Sequence, residues 1–94
     1  MNQSRIVQQR FRVTGRVQGV FFRLSTRDKA LELGVTGVAA NMSDGSVEVT
    51  AQGTPEQLSA LEAFLREGPR LSRVHSLESW PEEVQPGFHG FSTR

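Results

Sequence analysis

Thr14-Gly15-Arg16-Val17-Gln18-Gly19-Val20-Phe21-Phe22-Arg23 joins two different periodicities. Before it, Val7, Phe11 and Val13 alternate with Gln8, Arg10, Arg12 and Thr14, the period-two pattern of a half-buried strand. After it, Phe22, Thr26, Ala30 and Leu33 recur on one face of a helix predicted over 22–33, and Gly34 stands where a helix C-terminus favours glycine. The intervening loop is predicted from Gly15 to Phe21. Its two glycines suit a backbone whose successive N–H groups converge on one point, with the positive end of a helix dipole behind it. Arg23 adds a planar fork of donors matched to phosphate or carboxylate. A helix start is an unfavourable place for a cation unless it has work to do there. The same glycine spacing also suits a plain turn, and spacing alone leaves both accounts open.

Downstream, Thr36 to Asn41 predicts a second strand. Asp44-Gly45 supplies the turn, and Val47, Val49 and Ala51 alternate with Glu48, Thr50 and Gln52 in a third strand. Thr54, Pro55 and Gln57 form a capping box for a second helix whose apolar stripe is Leu58, Leu61, Phe64 and Leu65, ending at Gly68-Pro69. A fourth strand is predicted within Val74 to Trp80, an acidic loop from Pro81 to Gly87, and a last short strand within Phe88 to Thr93. Residues 1–5 are polar and expected to be loose. Trp80 and the phenylalanines are expected in the core, and His75 and His89 at the surface.

The order strand, helix, strand, strand, helix, strand predicts an α+β fold. It is a ferredoxin-like split βαββαβ sandwich, with an antiparallel sheet of four to five strands and two helices on one face. In that topology the first two strands run parallel with a third between them. Their C-terminal ends then share one edge of the sheet, roughly 10 Å apart. The loop after the first strand and Asn41, which closes the second, face the same space.

At 94 residues the chain predicts one domain, 1–94, with a core sufficient without disulfides or metal. It contains no cysteine, and its two histidines lack ligand spacing, so no metal site is expected. No stretch resembles a signal peptide or a membrane span, which predicts a cytoplasmic protein; a monomer is the default. Net charge is +1 but uneven: residues 1–29 carry +6 and residues 30–94 carry −5. The basic strand residues Arg10 and Arg12 suit either a solvated face or an anionic partner.

The shared edge collects Arg23, the loop N–H groups of Gly15, Arg16, Val17, Gln18, Gly19 and Val20, and the Asn41 amide. No paired acids, no nucleophile beside a base and no acidic cluster for magnesium stand with them. The loop is neither a Walker sequence nor Gly-x-Gly-x-x-Gly. Phosphoryl transfer suits this inventory, because it needs positioning and charge stabilisation more than covalent help. Arg23 and the loop would hold a phosphoryl group and Asn41 a water. Without a general base the leaving group must be good, as the carboxylate of an acyl phosphate is. Taken alone, Asn41 also suits turn formation ahead of Asp44-Gly45. Thr26, on the apolar helix face, has its own helix carbonyls as acceptors and no assigned chemistry.

The stretch Gly15-Arg16-Val17-Gln18-Gly19-Val20-Phe21-Phe22-Arg23 resembles the signature of the acylphosphatase family. The resemblance continues through Thr26, Ala30, Leu33-Gly34, Gly37, Asn41, Asp44-Gly45, Val47-Glu48, Gln52-Gly53, Gly68-Pro69 and Phe88 to Phe91. It implies hydrolysis of acyl phosphates to a carboxylate and phosphate, with no metal, cofactor or covalent intermediate. It further implies that Arg23 and the loop amides bind the phosphoryl group, that Asn41 orients the attacking water, and that the substrate phosphate helps take the water's proton. Inorganic phosphate or another anion would compete. Departures from the family pattern are Val38, Ala40, Val49 and Thr93, which bear on packing near the second strand and on the wall of the acyl pocket. Nothing in the sequence reads an acyl group.

Two other functions fit the same fold. A non-catalytic anion-binding regulatory module would bind phosphate without turnover. An RNA-binding ferredoxin-like domain would want surface aromatics on the third strand, where this chain has Glu48 and none. No nucleic-acid or membrane partner is therefore expected.

Overall fold

The alternation that starts at Val7 builds β1 (Val7–Arg16), and the helical repeat builds α1 (Phe22–Leu33). Then follow β2 (Thr36–Asn41), β3 (Val47–Gly53), α2 (Pro55–Glu67), β4 (Arg73–Glu82) and β5 (Phe91–Thr93). The computed structural model describes residues 5–94, so all but Arg5 of the N-terminal stretch expected to be loose lies outside the described residues. The sheet order is β4-β1-β3-β2-β5. β3 thus lies between β1 and β2, as the split topology requires, and the ends of β1 and β2 share one edge.

One face of the sheet is the core. Phe11, Val13, Ala39, Val47, Val49 and Ala51 are fully buried there against Phe22 and Ala30 of α1 and Leu58, Leu61 and Leu65 of α2. Burying each of the larger side chains contributes about 1.5–3 kcal/mol. α1 lies over β2 and β5, and α2 over β4, β1 and β3. The capping box forms: Gln57 N–H donates to Thr54 Oγ1 at 3.2 Å, and Thr54 N–H donates to Gln57 Oε1 at 2.9 Å. Thr26 is fully buried, but among the described residues its hydroxyl finds no hydrogen-bond partner, its own helix carbonyls included.

The other face is polar and internally paired. Arg10 bonds Glu48 at 3.0 Å and Glu82 at 2.8 Å. Arg12 pairs with Asp44, with Glu48 and Glu78 farther out. The basic first third and the acidic remainder of the chain therefore neutralise each other across neighbouring strands, and Arg10 and Arg12 are not a free cationic stripe.

Several boundaries differ from expectation for one reason, the long-range pairing with β4. A bulge between Thr14 and Gly15 lets β1 continue beside β4, so that Gly15 pairs with Val74 and Arg16 with Arg73. β4 in turn extends to Glu82. Trp80 is not in the core; it lies opposite Arg10 on the polar face and is 38% exposed. Gln8, expected outward, is buried, because the chain after β4 crosses that face: Gln8 Oε1 accepts from Gln85 N–H at 2.9 Å and from Gln52 Nε2 at 2.7 Å. β5 is limited to three residues and pairs parallel with β2, so the sheet is mixed rather than wholly antiparallel. A chain that leaves β4 at this end and crosses to the far edge must run back antiparallel to β4, and hence parallel to β2. Among the described residues no helix is long and apolar enough to cross a membrane.

Candidate active site

Because β1 continues to Arg16, the loop entering α1 is only Val17 to Phe21. Gly15 belongs to the strand, where β4 approaches so closely that a Cβ would run into the Arg73 carbonyl, and its φ is +125°. The chain then turns through Gly19 at φ +74° and Phe21 at φ +61°. Left-handed backbone costs a phenylalanine what it does not cost a glycine. Phe21 is the N-cap of α1 and offers no side-chain cap. The α1 ladder begins with Ser25 N–H donating to Phe21 C=O at 2.9 Å. Among the described residues, none of the backbone N–H groups from Gln18 to Leu24 has a backbone acceptor. Unpaired donors at a helix N-terminus are the kind of group that can accept an anion.

Gln18 fixes this loop to the β2–β3 turn. Its Nε2 donates to the carbonyls of Met42 and Ser46, each at 2.9 Å. The turn is held in its own right: Asp44 Oδ1 accepts from Ser46 N–H at 3.0 Å and from Ser46 Oγ–H at 2.7 Å, and Oδ2 meets Arg12. These bonds, Ser46 first and Arg12 after it, hold the Asp44 carboxyl well below the usual carboxylate range. A carboxyl whose folded-state pKa is depressed stabilises the fold above its unfolded pKa, about 3.9, and loses that contribution as pH falls toward the folded value. Asp44→Asn should therefore lower Tm by a few degrees at pH 7, with the difference from the parent closing as pH falls below about 4. Thermal melts at pH 7, 5 and 3 measure this. A difference that persists undiminished at pH 3 would assign the loss to turn geometry instead of charge.

Arg23 and Asn41 converge on one atom. Arg23 Nη1 donates to Arg94 C=O at 2.7 Å, and Asn41 N–H donates to the same oxygen at 3.0 Å. Arg94 N–H in turn donates to Ala39 C=O at 2.8 Å, continuing the parallel register of β5 on β2. Among the described residues no Asp or Glu carboxylate pairs with Arg23. Its charge faces a cavity of about 270 Å³ lined by Val17, Gly19, Phe21, Phe22, Arg23, Leu24 and Asn41. Of the predicted loop residues, Val17 and Gly19 line this cavity, while Gln18 clamps the loop and Val20 is buried in the core. Gly15 and Arg16 border a separate concavity with Arg73 and His75. Val38 and Ala40 lie on the polar face of the sheet, beside Arg10 and Glu48. Among the described residues no three His, Cys, Asp or Glu side chains are grouped to hold a metal ion.

Comparison with known proteins gives this cavity a context. The family model described as Acylphosphatase matches residues 9–93. The chain belongs to the acylphosphatase family. It is 44% identical to the acylphosphatase of Vibrio cholerae serotype O1, over 87% of this chain and 90% of that one. It is 51% identical to the acylphosphatase of Thermus thermophilus, over 82% and 90%. The structure of an acylphosphatase from Coxiella burnetii superposes with a TM-score of 0.91 at 36% identity, covering all of both chains. The activity of this family is hydrolysis of acyl phosphates. Two parts of it escape sequence reasoning. The Arg94 carbonyl reaches Arg23 only through the parallel β2–β5 register, which carries no local sequence signal. The Gln18 clamp had a signal, a polar side chain beside a turn glycine, but its acceptors lie 24 and 28 residues away.

Proposed function

We propose that the enzyme hydrolyses acyl phosphates at this cavity by direct in-line attack of water, without metal, cofactor or covalent intermediate. Arg23 and the N–H groups of the Val17–Phe21 loop hold the phosphoryl oxygens and stabilise the charge that builds on them. The Asn41 amide holds the attacking water, the substrate phosphate takes its proton, and the carboxylate leaves unassisted. An amide is too weak a base to remove that proton itself, which is why the leaving group must be good. The observation that carries this reading is that Arg23, Asn41 and loop residues whose N–H groups have no backbone acceptor among the described residues line one cavity in a member of this family. The reading includes a single domain acting as a cytoplasmic monomer, with inorganic phosphate or another small anion as a competitive ligand.

The test is hydrolysis of acetyl phosphate by purified protein in excess EDTA. Turnover undiminished by the chelator, and competitively inhibited by phosphate, is expected. Phosphate binding with no turnover would mean a non-catalytic anion-binding module of the same fold.

A further inference from the structure

We infer that Phe21 and Leu24 form the acyl-group wall of this site and bias the enzyme toward acyl phosphates with a bulky apolar, above all aromatic, acyl group. The inference rests on the acyl phosphate reading and adds what that reading lacks, a surface for the other end of the substrate.

An acyl phosphate has a charged end and an acyl end, and the cavity divides the same way. Arg23, Asn41 and the loop amides serve the charged end. The exposed remainder of the lining is apolar: Phe21 is 71% exposed and Leu24 40%. Phe22, one residue on from Phe21, turns into the core. Phe21 is the only non-glycine residue at positive φ among the described residues. Its backbone turn leaves its ring in solvent beside Arg23, although glycine or asparagine would adopt that turn more easily and a polar side chain would suit the exposure. Neither backbone preference nor core packing accounts for a phenylalanine here. A ligand that covers the ring does, because a substrate-binding cavity is chiefly apolar with a few placed polar groups. Exposure alone marks nothing: Leu31 and Leu71 are as open. Phe21 and Leu24 differ in sharing a cavity with Arg23 and Asn41. Leu24 stands one residue after Arg23 on α1, so the helix that aims the guanidinium also sets the wall. Val38 and Ala40, which border the opposite face of the sheet, have no part in it.

The experiment compares kcat/KM for benzoyl phosphate and acetyl phosphate. The parent should favour benzoyl phosphate. Phe21→Ala should lower the benzoyl-to-acetyl ratio about tenfold and Leu24→Ala about threefold, mainly through KM for benzoyl phosphate. Phe21→Asn separates ring from backbone, since asparagine tolerates left-handed φ while removing the ring; it should lower the ratio as alanine does, and Phe21→Trp should restore it. Leu31→Ala, outside the cavity, should leave the ratio as in the parent. If the parent hydrolyses both substrates and every Phe21 and Leu24 variant keeps its ratio within about twofold, the wall is wrong and the hydrolase stands. If the parent hydrolyses neither, both readings fall.

Discussion

Arg23→Ala leaves a folded protein whose kcat/KM for acetyl phosphate is more than about 10³-fold below the parent's. Loss of one well-placed donor to a developing charge costs about 10²–10³-fold, and Arg23 is, among the described residues, the one full positive charge lining the cavity. Inorganic phosphate should compete much less well, because the ground-state phosphoryl dianion loses the same partner. The fold itself has little at stake. The side chain is only half-buried and, among the described residues, makes one hydrogen bond, to Arg94 C=O. A cation in the first turn opposes the helix dipole by about 0.3–1 kcal/mol, so removing it offsets part of that loss. Melting temperatures within a few degrees of each other would tie the activity loss to the site. Arg23→Lys keeps the charge but not the planar fork, and should recover phosphate binding better than turnover. A folded Arg23→Ala protein with full activity would sink the assignment.

How far such a site can be anticipated depends on whether its parts are local. Strand and helix periods are local, and so α1 begins and ends where Phe22, Thr26, Ala30, Leu33 and Gly34 predict, and the Thr54 capping box starts α2. Chain order carries one long-range fact, that β3 lies between β1 and β2, and this brings Asn41 to the loop's edge of the sheet. What local pattern cannot carry is pairing with a distant edge strand. β4 draws Gly15 and Arg16 out of the loop and into the sheet, while the segment after it buries Gln8 and leaves Trp80 outside. The charge asymmetry misleads for the same reason, because Arg10 and Arg12 find Glu48, Glu82 and Asp44 across strands. Phe21 illustrates a different limit. The phenylalanines are all expected in the core, but the left-handed turn at Phe21 sends its ring outward while Phe22, on the apolar helix face, turns inward.

Asn41→Ala separates catalysis from binding where Arg23→Ala does not. Turnover should fall by about 10²–10³-fold, the scale on which a misplaced nucleophile or a lost transition-state donor is felt. The inhibition constant of phosphate should move only a few-fold, because the proposed work of the amide is to hold water and not the phosphoryl group. The substitution is structurally mild: the side chain is exposed, and the backbone contacts of the residue, its ladder position opposite Val47 and its N–H to Arg94 C=O, survive truncation at Cβ. Asn41→Asp is the complementary variant. A carboxylate has nearly the shape of the amide and is the stronger base, so if proton removal from water limited the rate, aspartate would retain or raise activity. It also sets a negative charge beside a bound phosphoryl group, and like charges a few ångströms apart in a partly enclosed cavity repel strongly. Loss of both turnover and phosphate affinity in Asn41→Asp, against loss of turnover alone in Asn41→Ala, is the pattern expected of a neutral group that orients water next to an anion. Should phosphate affinity fall as steeply as turnover in Asn41→Ala, Asn41 is a phosphoryl ligand, and the water must be held elsewhere in the cavity.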